Sequence, residues 1–314
     1  MSTIRLGTRR SALAQAQAKQ VARAIEQASG RQVELVFITT EGDTSSASLA
    51  TLGGTGVFVS ALRDALLRDE IDVAVHSLKD LPTAAAKGLE LIALPKRDDP
   101  RDVLVARNKD TLSHLAPGAK VGTGSPRRAA QLRHLRSDLD VVDIRGNVDT
   151  RLRLVTESKV DAVVLAAAGL SRLGMLDVVT EFFDPTVMLP APGQGALAIE
   201  VRAGALDHEL QTSLRTLDDS ATRAAVTAER AVLSALEAGC SAPVGALAVV
   251  GASQFDQQLD QLGFAEPELT LAALVAAFDG SSVKRLSITA PLIEADSAGR
   301  QLAERLLAEG VAVS

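Results

Sequence analysis

Three short stretches and one thiol carry the residue types that could do chemistry. Asp80 closes the run His76-Ser77-Leu78-Lys79-Asp80, directly after an apolar stretch at 71–75 and two residues before Pro82. A carboxylate at a strand end can act as general acid or base, or stabilise a developing cation. The other reading is a loop Asp that only caps the local backbone. His76 and Ser77 are adjacent and point in different directions, so they make no nucleophile–base pair, and His76 is assigned a structural place. In Thr123-Gly124-Ser125-Pro126-Arg127-Arg128, free N–H groups, two hydroxyls and two guanidiniums meet at a helix start, a good carboxylate or phosphate site. Arginines there oppose the helix dipole and cost stability unless an anion compensates; a solvated basic helix start is the alternative. The Gly-x4-Gly-Lys-Ser/Thr phosphate loop is absent. Arg145-Gly146-Asn147 is the third stretch. Cys240 is the single cysteine and sits in Gly239-Cys240-Ser241-Ala242-Pro243. It is either a small buried apolar residue or a thiolate nucleophile or covalent attachment point. No His lies in a comparably marked loop beside it, which disfavours a cysteine protease.

The elements that must position these residues follow from apolar spacing. Strand-like runs at 4–6, 33–38 and 71–75 alternate with helical spacings, first Ala14, Ala18, Val21, Ala22 and Ile25, then Phe58, Leu62, Ala65 and Leu66. This order predicts parallel sheets covered by helices. In such sheets ligands bind beyond the carboxyl ends of the strands, where all three stretches fall. A second set starts near Leu104: a strand ending at Val121, a helix capped by Ser125 with Pro126 in its first turn, and strands at 141–144 and 160–165. The last third reads as a small α+β domain, with a helix at 220–238 stopping at Gly239, strand-like runs at 247–250, 269–278 and 286–288, and a helix at 294–307. Breaks at 95–100 and 189–193 mark crossings between two α/β domains. If the strand at 196–201 returns to the first domain, the two crossings make a hinged pair with a cleft. The expected domains are 1–97 with 193–217, then 98–192, then 218–314.

Composition narrows the chemistry. The 314 residues carry a net charge of −6 and 46% hydrophobic residues, as in an ordinary globular protein of two or three domains. Seven Phe with no Trp or Tyr offer few stacking platforms, so nucleic acid is not an expected partner. Four scattered His and one Cys give no metal site, and a lone cysteine makes no intrachain disulfide. The longest apolar run, 162–170, is too short to span a bilayer, and residues 1–6 lack the pattern of a secretory signal. No membrane association is expected, and the cytoplasm is the expected compartment. Charge is uneven: residues 121–175 hold nine basic and six acidic groups, a local +3. Eight of the nine are Arg, suited to bidentate recognition of carboxylate or phosphate, although Arg outnumbers Lys along the whole chain.

Eight blocks in order resemble the porphobilinogen deaminase (hydroxymethylbilane synthase) family. They are Gly7-Thr8-Arg9, Gly53-Gly54-Thr55-Gly56-Val57-Phe58, the run from His76 to Pro82, that from Gly122 to Arg128, Arg145-Gly146-Asn147-Val148, that from Ala168 to Gly174, Pro192-Gly193-Gln194-Gly195-Ala196, and that from Gly239 to Gly245. The resemblance implies an α/β protein with two periplasmic-binding-protein-like domains joined by a hinge, plus a small α+β C-terminal domain. It implies a monomer that deaminates four porphobilinogen molecules and joins them head to tail, with hydroxymethylbilane released by hydrolysis. The primer is a dipyrromethane cofactor held by a thioether to Cys240, and Asp80 matches the catalytic aspartate. Arg9, Arg127, Arg128, Arg145, Arg151 and Arg172 match positions that bind the acetate and propionate arms. Ser11, Lys79, Thr123, Ser125 and Asn147 match supporting hydrogen-bond positions, and Phe58 a ring that packs on a pyrrole. Ser77, Gly146, Gly169 and Gln194 fall at further binding positions of the same blocks. The chain departs from the family pattern at Thr51 and Thr55, where lysines are usual, at Gly124 and Pro126, and at Asp149, where Gly is usual. A non-catalytic hinged binding protein for an anionic small molecule is the alternative from another class.

Overall fold

A computed structural model describes residues 3–38, 56–239, 242–251 and 267–310, with side chains at 56–58 excluded. The chain divides into two compact units. The first comprises Met1–Asp99, Ala168–Met175 and Gly195–Thr222; the second comprises Pro100–Ala167, Leu176–Gln194 and Arg223–Ser314. Among the described residues no helix is long and apolar enough to cross a membrane.

The first unit is built on a five-stranded sheet of order β2-β1-β3-β10-β4. Its strands are β1 (Ile4–Thr8), β2 (Val33–Phe37), β3 (Val73–Ser77), β4 (Leu89–Ala93) and β10 (Leu197–Arg202). Period-two alternation sends the β3 side chains to two different layers. Val73 and Val75 pack with Val21 and Ile25 of α1 (Ala12–Ser29), while Ala74 packs with Leu62, Ala65 and Leu66 of α2 (Gly56–Leu67). Helix α1 starts where Ser11 Oγ accepts from Ala14 N, and it stops at Gly30 in the left-handed region (φ 67°).

The second unit repeats the design with the order β7-β6-β8-β5-β9. These are β5 (Asp102–Ala106), β6 (Lys120–Gly122), β7 (Asp140–Val142), β8 (Ala162–Ala166) and β9 (Glu181–Phe182). As expected from sequence, α3 (Pro126–Leu135) begins with Ser125 as cap and Pro126 in its first turn. Asn147 caps α4 (Val148–Thr156), its Oδ1 accepting from Thr150 N at 2.9 Å. A third, antiparallel sheet joins β11 (Val244–Gly251), β12 (Glu268–Ala276) and β13 (Val283–Pro291). Val244, Ala246 and Ala248 pack against α7 (Ser220–Ala235) and α8 (Ala295–Ala308), α5 (Ala167–Arg172) and α6 (His208–Arg215) coming earlier in the chain. Leu247 of the opposite face packs with Ala130 and Leu189.

Neither five-stranded sheet is purely parallel. β1 pairs in parallel with β2 and β3, and β6 with β7 and β8, but β10 lies antiparallel between β3 and β4, and β5 antiparallel between β8 and β9. β10 opens the last segment of the first unit, and β5 is the first strand of the second. No crossover helix from the preceding strand of that sheet obliges them to run parallel.

Candidate functional site

In the first unit, β3 delivers Ser77 and then a single 3-10 turn, Leu78–Asp80. Two contacts fix this strand end: Gln17 Nε2 donates to Ser77 Oγ at 2.8 Å, and Leu78 N donates to Ala196 O at 3.0 Å. Lys79 and Asp80 are half-buried. The Asp80 carboxylate makes no hydrogen bond or ion pair with a described residue, so its oxygens are available to an incoming N–H group. Arg9, half-buried, follows β1. Arg172, at the end of α5, is already engaged: Nε donates to Asp98 Oδ2 at 2.8 Å and Nη2 to Gly195 O at 2.6 Å. Burial nonetheless pulls its pKa below the ordinary guanidinium value. Gly169 has Leu13 at ordinary contact distance from where a side chain would begin.

The second unit gathers the remaining basic residues around α3. Arg127 and Arg128 are 3% and 5% exposed, which decides their role in the free protein, because both close on an internal carboxylate. Asp102, fully buried at the start of β5, accepts from Arg127 Nη1 at 2.7 Å, Arg128 Nε at 2.9 Å and Gln194 Nε2 at 2.8 Å. Arg127 Nη1 also donates to Leu189 O at 2.6 Å, and Arg128 Nη1 to Val164 O at 2.9 Å. Burial alone would raise the Asp102 pKa, but the two guanidiniums overwhelm it and hold the carboxyl far below the usual range. Burial, with Arg128 beside it, pulls Arg127 down in spite of Asp102. The anion that two arginines at this helix start require is thus supplied from inside. Their position is no longer by itself an argument for an external ligand. One orphan remains: Arg127 Nε is buried without a hydrogen-bond partner.

Arg145 and Arg151 are different. Arg145 meets Asp143 at 3.1 Å with both side chains largely exposed, a contact of small worth. Arg151 is half-buried, and among the described residues its side chain hydrogen-bonds only to Gly146 O, at 2.8 Å from Nε. Burial, followed by the like charges of Arg128 and Arg145, lowers its pKa to about 10. Asp143 offsets this only in part, since burial and the two like charges outweigh it, and such a cluster favours a bound anion. Thr123 Oγ1 accepts from Ser125 N at 3.2 Å, and Ser125 Oγ accepts from Arg128 N at 3.5 Å. Both hydroxyls keep a hydrogen to donate. At Gly124 a Cβ would stand 2.6 Å from Ile144 O, so glycine lets this turn lie against the Asp143–Arg145 strand end. Gly146, with φ 105°, turns the chain into the Asn147 cap.

Ser11, Ser125 and Asn147, expected as ligand contacts, each cap a helix. Cys240 and the side chain of Phe58 lie outside the described residues, as do Thr51 and Thr55. Sequence reasoning missed Asp102, Asp98 and Glu200, the last 3% exposed on β10 and bonded to Arg63. A readable signal existed for two of them: Asp102 opens an otherwise apolar strand, Glu200 interrupts the apolar run at 197–201, and a lone acid in such a run needs a buried partner.

Each unit is a mixed α/β sheet with polar residues beyond its strand ends: the Asp80 carboxylate, without a partner among the described residues, in the first, and Arg145 and Arg151 in the second. The chain matches the family model "Porphobilinogen deaminase, dipyromethane cofactor binding domain" over residues 4–232 and "Porphobilinogen deaminase, C-terminal domain" over 223–308. It is 55% identical to porphobilinogen deaminase 1 of Streptomyces coelicolor, covering 98% of this chain and 96% of that protein. It is 53% identical to porphobilinogen deaminase of Cutibacterium acnes, covering 99% and 96%. The chain belongs to the porphobilinogen deaminase family. Among solved structures, the periplasmic VFT2 domain of Bordetella pertussis BvgS aligns over 68% of this chain and 86% of its own at a TM-score of 0.41 and 17% identity.

Proposed function

We propose that the chain is a hydroxymethylbilane synthase, a transferase of tetrapyrrole biosynthesis that deaminates porphobilinogen and couples four pyrrole units head to tail. The observation that carries this reading is the Arg151 cluster. A half-buried guanidinium held to a pKa of about 10 by burial and by its neighbours Arg128 and Arg145 gains most from a bound polycarboxylate. The donor set fits a dipyrromethane, whose acetate and propionate arms present several carboxylates. Arg145 and Arg151, with the Thr123 and Ser125 hydroxyls, would hold those arms, and Cys240 would supply the thioether sulfur. When bound, that group supplies the primer to which the first substrate unit is joined.

Asp80 does the proton chemistry. Loss of ammonia from the substrate aminomethyl group needs a proton donor and leaves a cationic pyrrole, which a carboxylate against the pyrrole N–H stabilises. The same carboxylate then assists removal of the ring proton after carbon–carbon bond formation. Arg9 and Lys79 assist in binding substrate carboxylates. Arg127, Arg128, Arg172, Gln194 and Ser77 act indirectly, by holding the strand ends and turns that carry the contacting groups. The enzyme works as a monomer in the cytoplasm. Intact mass tests the reading: active protein carries an adduct of two pyrrole units, absent from Cys240→Ala. Active protein at its unmodified mass refutes it. Since the chain has no Trp or Tyr, absorbance of the pure protein near 280 nm and above reports the adduct independently.

A further inference from the structure

The layer between the first sheet and α2 is apolar, with Leu62, Ala65, Leu66, Ile71 and Ala74 buried together, except for one charged cluster. Glu200 of β10 accepts from Arg63 of α2 through both oxygens, Nη2 to Oε1 at 2.8 Å and Nε to Oε2 at 3.0 Å. His76 Nε2 of β3 stands 3.2 Å from Oε2, at ion-pair distance but out of line for a hydrogen bond. The register explains how they meet. Ala74 lies opposite Glu200 and His76 opposite Ala198, so imidazole and carboxylate rise from the same face of neighbouring strands, beneath α2. Burial alone would raise the Glu200 pKa; the His76 and Arg63 contacts hold it below the ordinary value instead.

Such a cluster is poorly explained by stability. Apolar residues of similar volume would pack in this layer at least as well, and charged groups buried in it cost desolvation. What directed contacts add is a fixed relation between elements. Here the two Arg63 bonds tie α2 to β10, and His76, at ion-pair distance, brings the last residues of β3 to the same carboxylate, four residues before Asp80. From the sheet's other face Gln17 holds Ser77, and Leu78 N bonds to Ala196 just before β10.

We propose that Glu200 is a positioning residue for Asp80: by holding Arg63 and His76 it fixes the end of β3, and with it the turn Leu78–Asp80, against α2 and β10. This rests on the reading of Asp80 as the proton-transfer group, and Glu200 itself touches no reacting atom. The test compares cofactor-loaded enzyme carrying Glu200→Gln, Arg63→Met, both changes, or Asp80→Asn. Intact mass gives the loaded fraction, and turnover per loaded molecule is measured over a range of substrate concentrations. Glu200→Gln is expected to lower kcat roughly tenfold or more, as misplacement of a catalytic group does, with KM within about twofold of the parent. Arg63→Met moves kcat in the same direction, and the double variant is no worse than Glu200→Gln, since both act through one carboxylate. An unchanged kcat per loaded molecule in Glu200→Gln, whatever its Tm, overturns the inference. Should that variant not fold, Arg63→Met decides in its place, because the Arg63 side chain is 17% exposed and more easily replaced. Substantial turnover by Asp80→Asn overturns the reading of Asp80 itself, so the two failures are distinguishable.

Discussion

Replacing Asp102 by Asn leaves shape almost unchanged and removes one charge from between two buried guanidiniums. In the native protein the carboxylate accepts from Arg127, Arg128 and Gln194 at 2.7–2.9 Å. With charge centres about 4 Å apart and an effective dielectric of about 20, each Arg–Asp attraction is about 4 kcal/mol before desolvation is subtracted. In the variant those attractions vanish, while Arg127 and Arg128 remain buried and repel each other. Neither orientation of the amide helps: its NH2 faces either Arg127 Nη1 or the donors of Arg128 and Gln194. Breaking a buried pair from one side costs about 3–5 kcal/mol. At roughly 2–4 °C per kcal/mol for a protein of this size class, Tm falls by about 6 °C or more. The pH dependence has a definite sign. The folded-state pKa of Asp102 lies far below the unfolded value of about 3.9, so its stabilisation is complete at neutral pH and lost only as pH falls below that value toward the folded pKa. Thermal unfolding of parent and variant from pH 7 down to the acid limit therefore gives a constant gap that closes only in strong acid. Adding Arg127→Met to Asp102→Asn recovers part of the loss. A gap under about 1 kcal/mol at pH 7 would refute the internal-anion argument.

Two further outcomes follow from the same geometry. Asp80→Asn is expected to keep the Tm of the parent, since the carboxylate has no partner among described residues, while turnover per loaded molecule falls about 100-fold or more; calorimetry and initial rates measure the two. Arg151→Leu is expected to raise the stability of cofactor-free protein and to reduce cofactor loading, read by unfolding and intact mass. Its folded pKa of about 10 lies below the unfolded value of 12.5, so the charged side chain opposes folding at neutral pH. The stabilisation gained by removing it is full at pH 7 and shrinks as the pH rises above about 10.

Much of this is legible in the sequence. Ser125 and Pro126 announce α3, alternation places Val73 and Val75 on one face of β3 and Ala74 on the other, and residues after apolar runs do fall at strand ends. Those signals are local, and the physics behind them operates within a few residues. What was not readable depends on partners distant in the chain. Asp102 lies 25 residues from Arg127, and a charge count beginning at Val121 cannot include it. The antiparallel placement of β5 and β10 reflects where the chain first enters the second sheet and returns to the first, which no periodicity encodes. Two arginines at the start of α3 require an anion, and Asp102, from 25 residues earlier in the chain, supplies it.

That distinction changes what net charge says about an anion site. A chain of −6 is a poor anion binder only if its arginines are interchangeable, and here they are not. Arg127, Arg128 and Arg172 are neutralised by Asp102 and Asp98, and an external carboxylate would have to compete with a buried internal one. Among the described residues Arg151 makes no ion pair, and Arg145 meets only an exposed Asp143. Ligand affinity should therefore track the second pair and stability the first. Substituting Arg172 ought to lower the Tm of cofactor-free protein, because leaving Asp98 and Gly195 O without their donor outweighs the desolvation relieved by removing a buried cation. Substituting Arg151 ought to do the opposite, and the same Tm shift for both would show that the division by partner is wrong.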